Sequence, residues 1–368
     1  MNFLSHINSL LLVIIFIIAA LNDTFVDMFF PFLNEIVILS FVCLIIINFN
    51  RFKYDFGAIL LIIPTVVFCV LSVISADDLH IGGYNTAAFI ILILILFSIH
   101  GIKFNVKLIN NLLLLFSIGV LGGSFYFILN SYSDLLGFDE ASGIFINSNS
   151  FGMYLGFMIT FAVLSFKDSI YKWVYVATLL PFLLYSNSRG SLMFVLIFFL
   201  VYFIKSSRSV NRLTLYSIIL AGGVAILLIT FNTFYLDSDI KILNKIQSSG
   251  SSGRFDIWMK IIKNMLKDTV HVLFGSGPST TFIDGKSAHN SFINESSNMG
   301  IFFVMFYSLL MVYKYIKFHL LKYQDFTLIV IPILFLGLVE SILFINSLFW
   351  LLLLFVNLKF KSEKISIE

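Results

Sequence analysis

The sequence predicts an all-α integral membrane protein, and three observations carry that prediction. Of 368 residues, 59% are hydrophobic and only 12% charged, where a soluble domain averages about 25% charged. A water-soluble fold of this length could not hide so much apolar surface, so the excess must face lipid. Apolar runs of about 20 residues, the length that crosses a hydrocarbon core about 30 Å thick, recur down the chain. The basic residues cluster in alternate breaks between those runs, as the orientation rule for cytoplasmic segments requires. The net charge of +3 is too small to suggest a nucleic-acid partner.

The runs define about twelve transmembrane helices, near 3–21, 33–49, 56–75, 84–100, 109–129, 148–166, 172–186, 190–204, 214–231, 300–316, 326–343 and 347–358. The seventh, eighth and twelfth are the shortest. With both termini cytoplasmic, the inner segments hold Arg51, Lys53, Lys103, Lys107, Lys167 and Lys172. They continue with Lys205, Arg208, Arg212, Lys314, Lys317, Lys322, Lys359, Lys361 and Lys364. The short outer segments hold acids, among them Asp23, Asp27, Glu35, Asp77, Asp78, Asp134, Asp139 and Glu140, and essentially one base, Arg189. Reversing the layout or deleting one span would scramble this alternation. The first run lacks a basic flank and a good cleavage site, so it reads as a retained helix rather than a removed signal.

The expected organisation is a single polytopic membrane domain, 1–368, with one large periplasmic loop at 232–299 between the ninth and tenth spans. Loops of that length are functional or disordered, and this one carries structure. In "RFDIWMKIIKNMLK" (254–267), Phe255, Trp258, Ile261, Ile262, Met265 and Leu266 recur at helical spacing, with Lys260, Lys263 and Lys267 on another face. That pattern predicts an amphipathic helix on the membrane surface or over the bundle. "SSGSSG" (248–253) leads into it, and Ser252 is placed to cap it. A Gly-rich turn, "LFGSGPST" (273–280), and a polar stretch, "DGKSAHNSFINESSNMG" (284–300), follow.

Weaker signals exclude more than they suggest. "GSGP" lacks the Lys-Ser/Thr of a phosphate-binding P-loop and follows no soluble strand. Asp237 and Asp239 mimic a metal-binding DxD, but two acids at the start of a solvated loop are weak support. No His/Cys/Asp cluster has zinc spacing. Cys43 and Cys69 lie inside apolar runs and read as small buried hydrophobes rather than a disulfide framework.

Three residues stand out as catalytic candidates. Arg189, in "YSNSRGSL", is a base placed against the orientation bias, and such a residue marks an anion partner unless it merely snorkels at a helix end. Asn187, with Ser186 and Ser188, adds donors beside it. Arg254 opens the amphipathic helix; a cation there opposes the macrodipole, but the unpaired backbone N–H groups of that terminus attract anions. His289, in "SAHNSF", titrates near neutrality when unperturbed. Lys286 and Asn290 beside it are candidate substrate-binding residues. Two guanidiniums and an imidazole thus share one side of the membrane in a chain otherwise short of charge. A diphosphate leaving group suits the former and a hydroxyl nucleophile the latter.

The ordered set "NSNSFGMYLGF" (147–157), "SNSRGSLM" (186–193), "SGRFDIWMKIIKN" (252–264), "LFGSGPST" (273–280) and "AHNSFINESSNMGIFFVMFYSLL" (288–310) resembles the O-antigen polymerase and ligase superfamily, Wzy-type. The resemblance implies a membrane glycosyltransferase fold of the C type, multi-pass in the bacterial inner membrane. It implies a metal-independent enzyme of surface-polysaccharide synthesis, with no cofactor and no nucleotide sugar. Its substrate would be an undecaprenyl-diphosphate-linked oligosaccharide, and its candidate partners are membrane lipid and a chain-length regulator protein. The "SRG" arginine corresponds to Arg189, the "GR" arginine to Arg254 and the "HN" histidine to His289. Asn149, near the start of the sixth span, matches an asparagine of relatives, and the resemblance makes it a candidate substrate-binding residue with no further role assigned. Polymerase is the expected activity; the alternatives are the ligase that moves finished polymer to lipid A core, a flippase for lipid-linked units, and a non-catalytic assembly partner. A flippase would carry charged residues inside its spans, and these spans are almost free of charge.

Overall fold

The computed structural model describes residues 3–21, 24–30, 32–51, 56–74, 76, 83, 86–87, 89–90, 102, 104–130, 142–166, 170–206, 254–277, 290–320 and 324–339. These residues form a helical bundle. In chain order the helices are α1 (Phe3–Leu21), α2 (Leu33–Asn48), α3 (Phe56–Ile74), α4 (Val106–Leu129), α5 (Ser148–Ser165), α6 (Ile170–Tyr185), α7 (Arg189–Ser206), α8 (Arg254–Met265), α9 (Thr269–Phe274), α10 (Ser291–Leu320) and α11 (Gln324–Val339). Five stretches among the described residues are long and apolar enough to cross a membrane: α1, α3, α4, α5 and Ser291–Tyr313 of α10. Shorter apolar helices occupy Glu35–Asn48, Ile170–Tyr185, Arg189–Ile204 and Leu328–Leu338.

The surface is that of a lipid-facing protein. On α3, Phe56, Leu60, Ile63, Val67, Val70 and Ile74 form one exposed stripe, while Ala58, Thr65, Cys69 and Ser72 face inward. Large apolar side chains outside and small or polar ones inside invert the pattern of a soluble helix. In lipid, close helix contact comes from small residues and interhelical hydrogen bonds rather than from apolar burial. The chain is an all-α membrane protein.

Packing runs outward from α5. Every residue of α5 from Ser150 to Leu164 is buried. Phe157 lies on Phe16 of α1, with ring centroids 4.7 Å apart, and Tyr154 meets Phe116 of α4 edge-on at 6.3 Å. α1 and α4 run parallel: the Asn105 N–H donates to Ser9 Oγ at 2.6 Å near one end, and Phe25 and Phe127 stack at 5.0 Å near the other. α1 and α2 run antiparallel and are locked by two reciprocal amide hydrogen bonds. Asn48 donates to Asn8 at 2.8 Å and Asn8 to Asn48 at 3.2 Å.

A second set of helices gathers on α10. It runs antiparallel to α3, with Tyr313 against Gly57, Phe68 between Phe302 and Phe306, and Met299 against Cys69. α10 also pairs with α11, which packs along α7 and so joins the two sets.

Helix boundaries fall close to the expected spans with one exception. The tenth span was expected at 300–316, yet α10 begins at Ser291. Its first nine residues are too polar to resemble a membrane segment, but they are helical and largely buried, and Gly300 (φ +84°) marks a kink between them and the apolar part. The span expected at 84–100 is described only at its start, where the described residues are helical. Those expected at 214–231 and 347–358 lie outside the described residues, as do 232–253 and 278–289 of the loop. Cys43 and Cys69 are free thiols, half-buried and buried.

Candidate functional site

The head of α5 and the turn between α6 and α7 form one structure. Asn147 caps α5, its side-chain oxygen accepting from the Ser150 N–H at 2.8 Å. That is the expected job of an asparagine just before a helix. Five residues later, a Cβ on Gly152 would overlap the Ser188 side chain and press on Ser186. Only a glycine lets the α5 head sit so close. One turn further, Gly156 meets Phe194 and Val195 of α7, so α5 and α7 run parallel with their N-terminal ends together.

The turn itself is built by short polar side chains. The Ser186 N–H closes α6 onto Phe182, and Ser186 Oγ donates to the Leu183 carbonyl at 2.8 Å. Asn187 then adopts φ +55°, the only positive φ outside glycine among the described residues. Asparagine is the residue type that tolerates this conformation best after glycine. Ser188 and Ser191 share a hydroxyl hydrogen bond at 2.8 Å across the first turn of α7. Arg189 is the first residue of α7, half-buried and engaged with its surroundings. Asn149 and Asn187, both half-buried, belong to the same two segments.

Two helix N-termini and one guanidinium therefore share a small region. Each terminus presents the positive end of its macrodipole. The arrangement suits a multiply charged anion.

The loop elements sit elsewhere along the same bundle. Arg254 is the first residue of α8, and its side chain lies outside the described residues. α8 buries Ile261 against the bundle, packs on α9 and α10, and exposes Lys260, Lys263 and Lys267. The expected amphipathic helix is thus observed. The Gly-rich segment after it has a packing role: the Ser276 and Gly277 N–H groups donate to the Ser297 and Asn298 carbonyls at 2.9 and 2.8 Å. Gly275 (φ +79°) leaves no room for a Cβ against Asn298, nor does Gly300 against Leu273. The glycines let loop backbone meet the kinked α10 backbone directly.

His289 and Lys286 lie outside the described residues. Asn290, the next residue after His289, is described and fully employed. Its side-chain oxygen caps α10 through the N–H groups of Phe292 and Ile293, at 3.0 and 3.1 Å, and its amide donates to the Leu338 carbonyl at 3.0 Å. That last bond pins the head of α10 to the end of α11. Glu295, a sequence neighbour of His289, and Asn294 were not among the expected site residues, yet both are buried in the head of α10. A carboxyl inside an otherwise apolar bundle was the available signal. It was masked by the surrounding polar residues, which read as loop.

No curated protein matches this chain. Residues 174–308, from within α6 to within α10, match the family model described as O-Antigen ligase. The matched stretch contains the serine turn, Arg189, Arg254, His289 and the polar head of α10. That match is consistent with the O-antigen polymerase and ligase superfamily that the sequence motifs resemble.

Proposed function

We propose that this protein is a bacterial surface-polysaccharide polymerase. It joins undecaprenyl-diphosphate-linked repeat units on the outer face of the cytoplasmic membrane. The observation that carries the reading is the meeting of the α5 and α7 N-termini at Gly152 and Ser188, with Arg189 as the first residue of α7. A diphosphate is the anion that such a site fits, and lipid-linked sugars carry one at the membrane surface.

In the proposed reaction an acceptor sugar hydroxyl attacks the anomeric carbon of the donor glycan. The new C–O bond forms as the bond to the diphosphate breaks, and the bonding electrons leave with the lipid diphosphate. Arg189 and Arg254 neutralise that leaving group, since planar guanidiniums make paired contacts to phosphate oxygens. Stabilising charge where it develops is commonly the largest catalytic contribution. His289 takes the hydroxyl proton, a contribution of roughly 10²–10⁴-fold in such reactions. One direct displacement inverts the anomeric configuration. Charge neutralisation by arginine makes the transfer metal-independent on this reading. Asn149 and Asn187 face the donor, and Lys286 and Asn290 lie beside the acceptor.

The proposed topology has about twelve spans with both termini cytoplasmic, the serine turn and α8 on the outer side, and α8 guarding lateral access for lipid. The antiparallel pairs α1–α2 and α3–α10 and the parallel pairs α1–α4 and α5–α7 support it, because each relative direction is the one that this layout requires.

The second reading is a ligase, favoured by the description of the matched family. The surface glycan of a deletion strain separates the two. Single repeat units on the lipid anchor, restored to a ladder by wild type but not by Arg189→Ala or His289→Ala, are the result expected of a polymerase. Loss of all attached glycan would replace it with the ligase, and an unchanged ladder would end both.

A further inference from the structure

The polar head of α10 holds two unsatisfied acceptors side by side. Asn294 is 7% exposed and Glu295 2%. The Asn294 amide donates to one Glu295 carboxyl oxygen at 3.1 Å. The other carboxyl oxygen, Oε2, and Asn294 Oδ1 have no hydrogen-bond partner. The Asn298 side chain also hydrogen-bonds the Glu295 carboxyl. The carboxyl lies on the α3 side of α10, within electrostatic reach of Cys69 and Tyr307.

The surroundings are otherwise saturated. Asn290 uses both ends of its amide, and the carbonyls of Ser297 and Asn298 take the N–H groups of the 276–277 loop. Buried polar groups in native proteins are nearly always paired, and each exception asks for an explanation. Among the described residues six buried side-chain atoms lack a partner, and two of them fall on consecutive residues in the polar head of α10.

The chemistry of the two atoms identifies what would satisfy them. Both are carbonyl-type oxygens that call for O–H or N–H donors. A diphosphate offers only acceptors and would be repelled by the carboxyl. A sugar ring offers neighbouring hydroxyls as donors. We infer that Asn294 and Glu295 form a glycan subsite that takes two hydroxyls of the sugar unit, separate from the anion site at Arg189. The inference rests on the proposed glycosyl transfer and adds to it a division of labour: sugar at the head of α10, diphosphate at the heads of α5 and α7.

Two probes test it on the full-length protein in nanodiscs. One is the repeat-unit oligosaccharide freed of lipid and diphosphate, and the other is undecaprenyl diphosphate without sugar. Each is titrated as an inhibitor of polymerisation by wild type, Glu295→Gln and Asn294→Asp, both near-isosteric. The expected result is at least a tenfold weaker inhibition by the free glycan in each variant, with inhibition by the lipid diphosphate unchanged. Equal glycan inhibition in all three proteins overturns the subsite, and so does an equal loss of both inhibitors, which marks a structural role. If the variants do not fold, hydrogen exchange on wild type decides. Free glycan should slow exchange across 290–299, and no protection at saturation overturns the inference. A wild type that binds the glycan at 290–299 but transfers nothing retains the subsite and discards the polymerase.

Discussion

Gly152 on α5 and Ser188 at the head of α7 are packed so closely that no side chain fits between them. This contact holds two helix N-termini together beside Arg189. Alanine at 152 gains helix propensity of up to about 1 kcal/mol. Its methyl would overlap the Ser188 Cβ, which cannot swing away, and overpacking of that kind costs about 1–3 kcal/mol. Gly152→Ala should therefore destabilise the protein by about 1–2 kcal/mol and abolish polymer laddering. Gly119→Ala, at a position of α4 with open space around it, should be neutral or slightly stabilising. Thermal unfolding in detergent together with glycan ladders separates the two outcomes; equal behaviour of both variants would remove the contact from the account.

Gly300 lies at the kink of α10 with φ +84°, against the Leu273 carbonyl. Alanine there meets both a disfavoured conformation and a backbone obstacle. Strain of this type costs about 1–3 kcal/mol before any clash is counted. Gly300→Ala should lower the unfolding midpoint more than Gly152→Ala and speed hydrogen exchange at 276–277, whose N–H groups donate to the α10 carbonyls. An unfolding midpoint equal to that of wild type would contradict the backbone contact.

Arg189 tests the anion site. Removing one donor from a preorganised charge-stabilising site costs about 10²–10³ in rate, so Arg189→Ala should lose activity on that scale. Lysine keeps the charge but loses the two-pronged geometry, and Arg189→Lys should recover only part of the loss. Transfer assays on the purified protein check the order wild type, lysine, alanine. Full activity with lysine would reduce the residue to a simple point charge.

Asn8 and Asn48 form a reciprocal amide pair inside the bundle. Asn8→Ala removes the partner of the Asn48 side-chain oxygen, while the Asn48 amide keeps the Leu44 carbonyl, and should cost about 1–2 kcal/mol, allowing for the modest value of such bonds between membrane helices. Replacing both by leucine removes every polar group at once and should cost markedly less than the two single losses added together. Unfolding of the two single variants and the double variant measures this coupling. Strict additivity would mean that the amides do not support one another.

The helices of the bundle were legible in the sequence because hydropathy reads a segment one residue at a time. α1, α2 and α3 begin and end within a residue or so of their expected limits. The amphipathic α8 was legible for a similar reason, since its period needs no partner. What was not legible depended on partners. "NSFINESSNM" reads as a polar loop, and only the backbone of 275–277 and the face of α3 make it a buried helix. The same holds for "GSG", whose glycines suggest a ligand until α10 is seen pressed against them. Arg189 could be picked out by the charge pattern. The reason it sits at a useful place, the contact between Gly152 and Ser188, could not.

α5 has a consequence for how the protein is made. It is the least apolar of the five long candidate spans and is enclosed by its neighbours from Ser150 to Leu164. A segment of that kind partitions weakly into lipid when it leaves the ribosome alone. Its capture in the bilayer must draw on α4 before it and α6 after it, so the order of synthesis becomes part of the fold. Polar substitutions in α5 would then reduce the yield of correctly inserted chains before they altered any finished molecule.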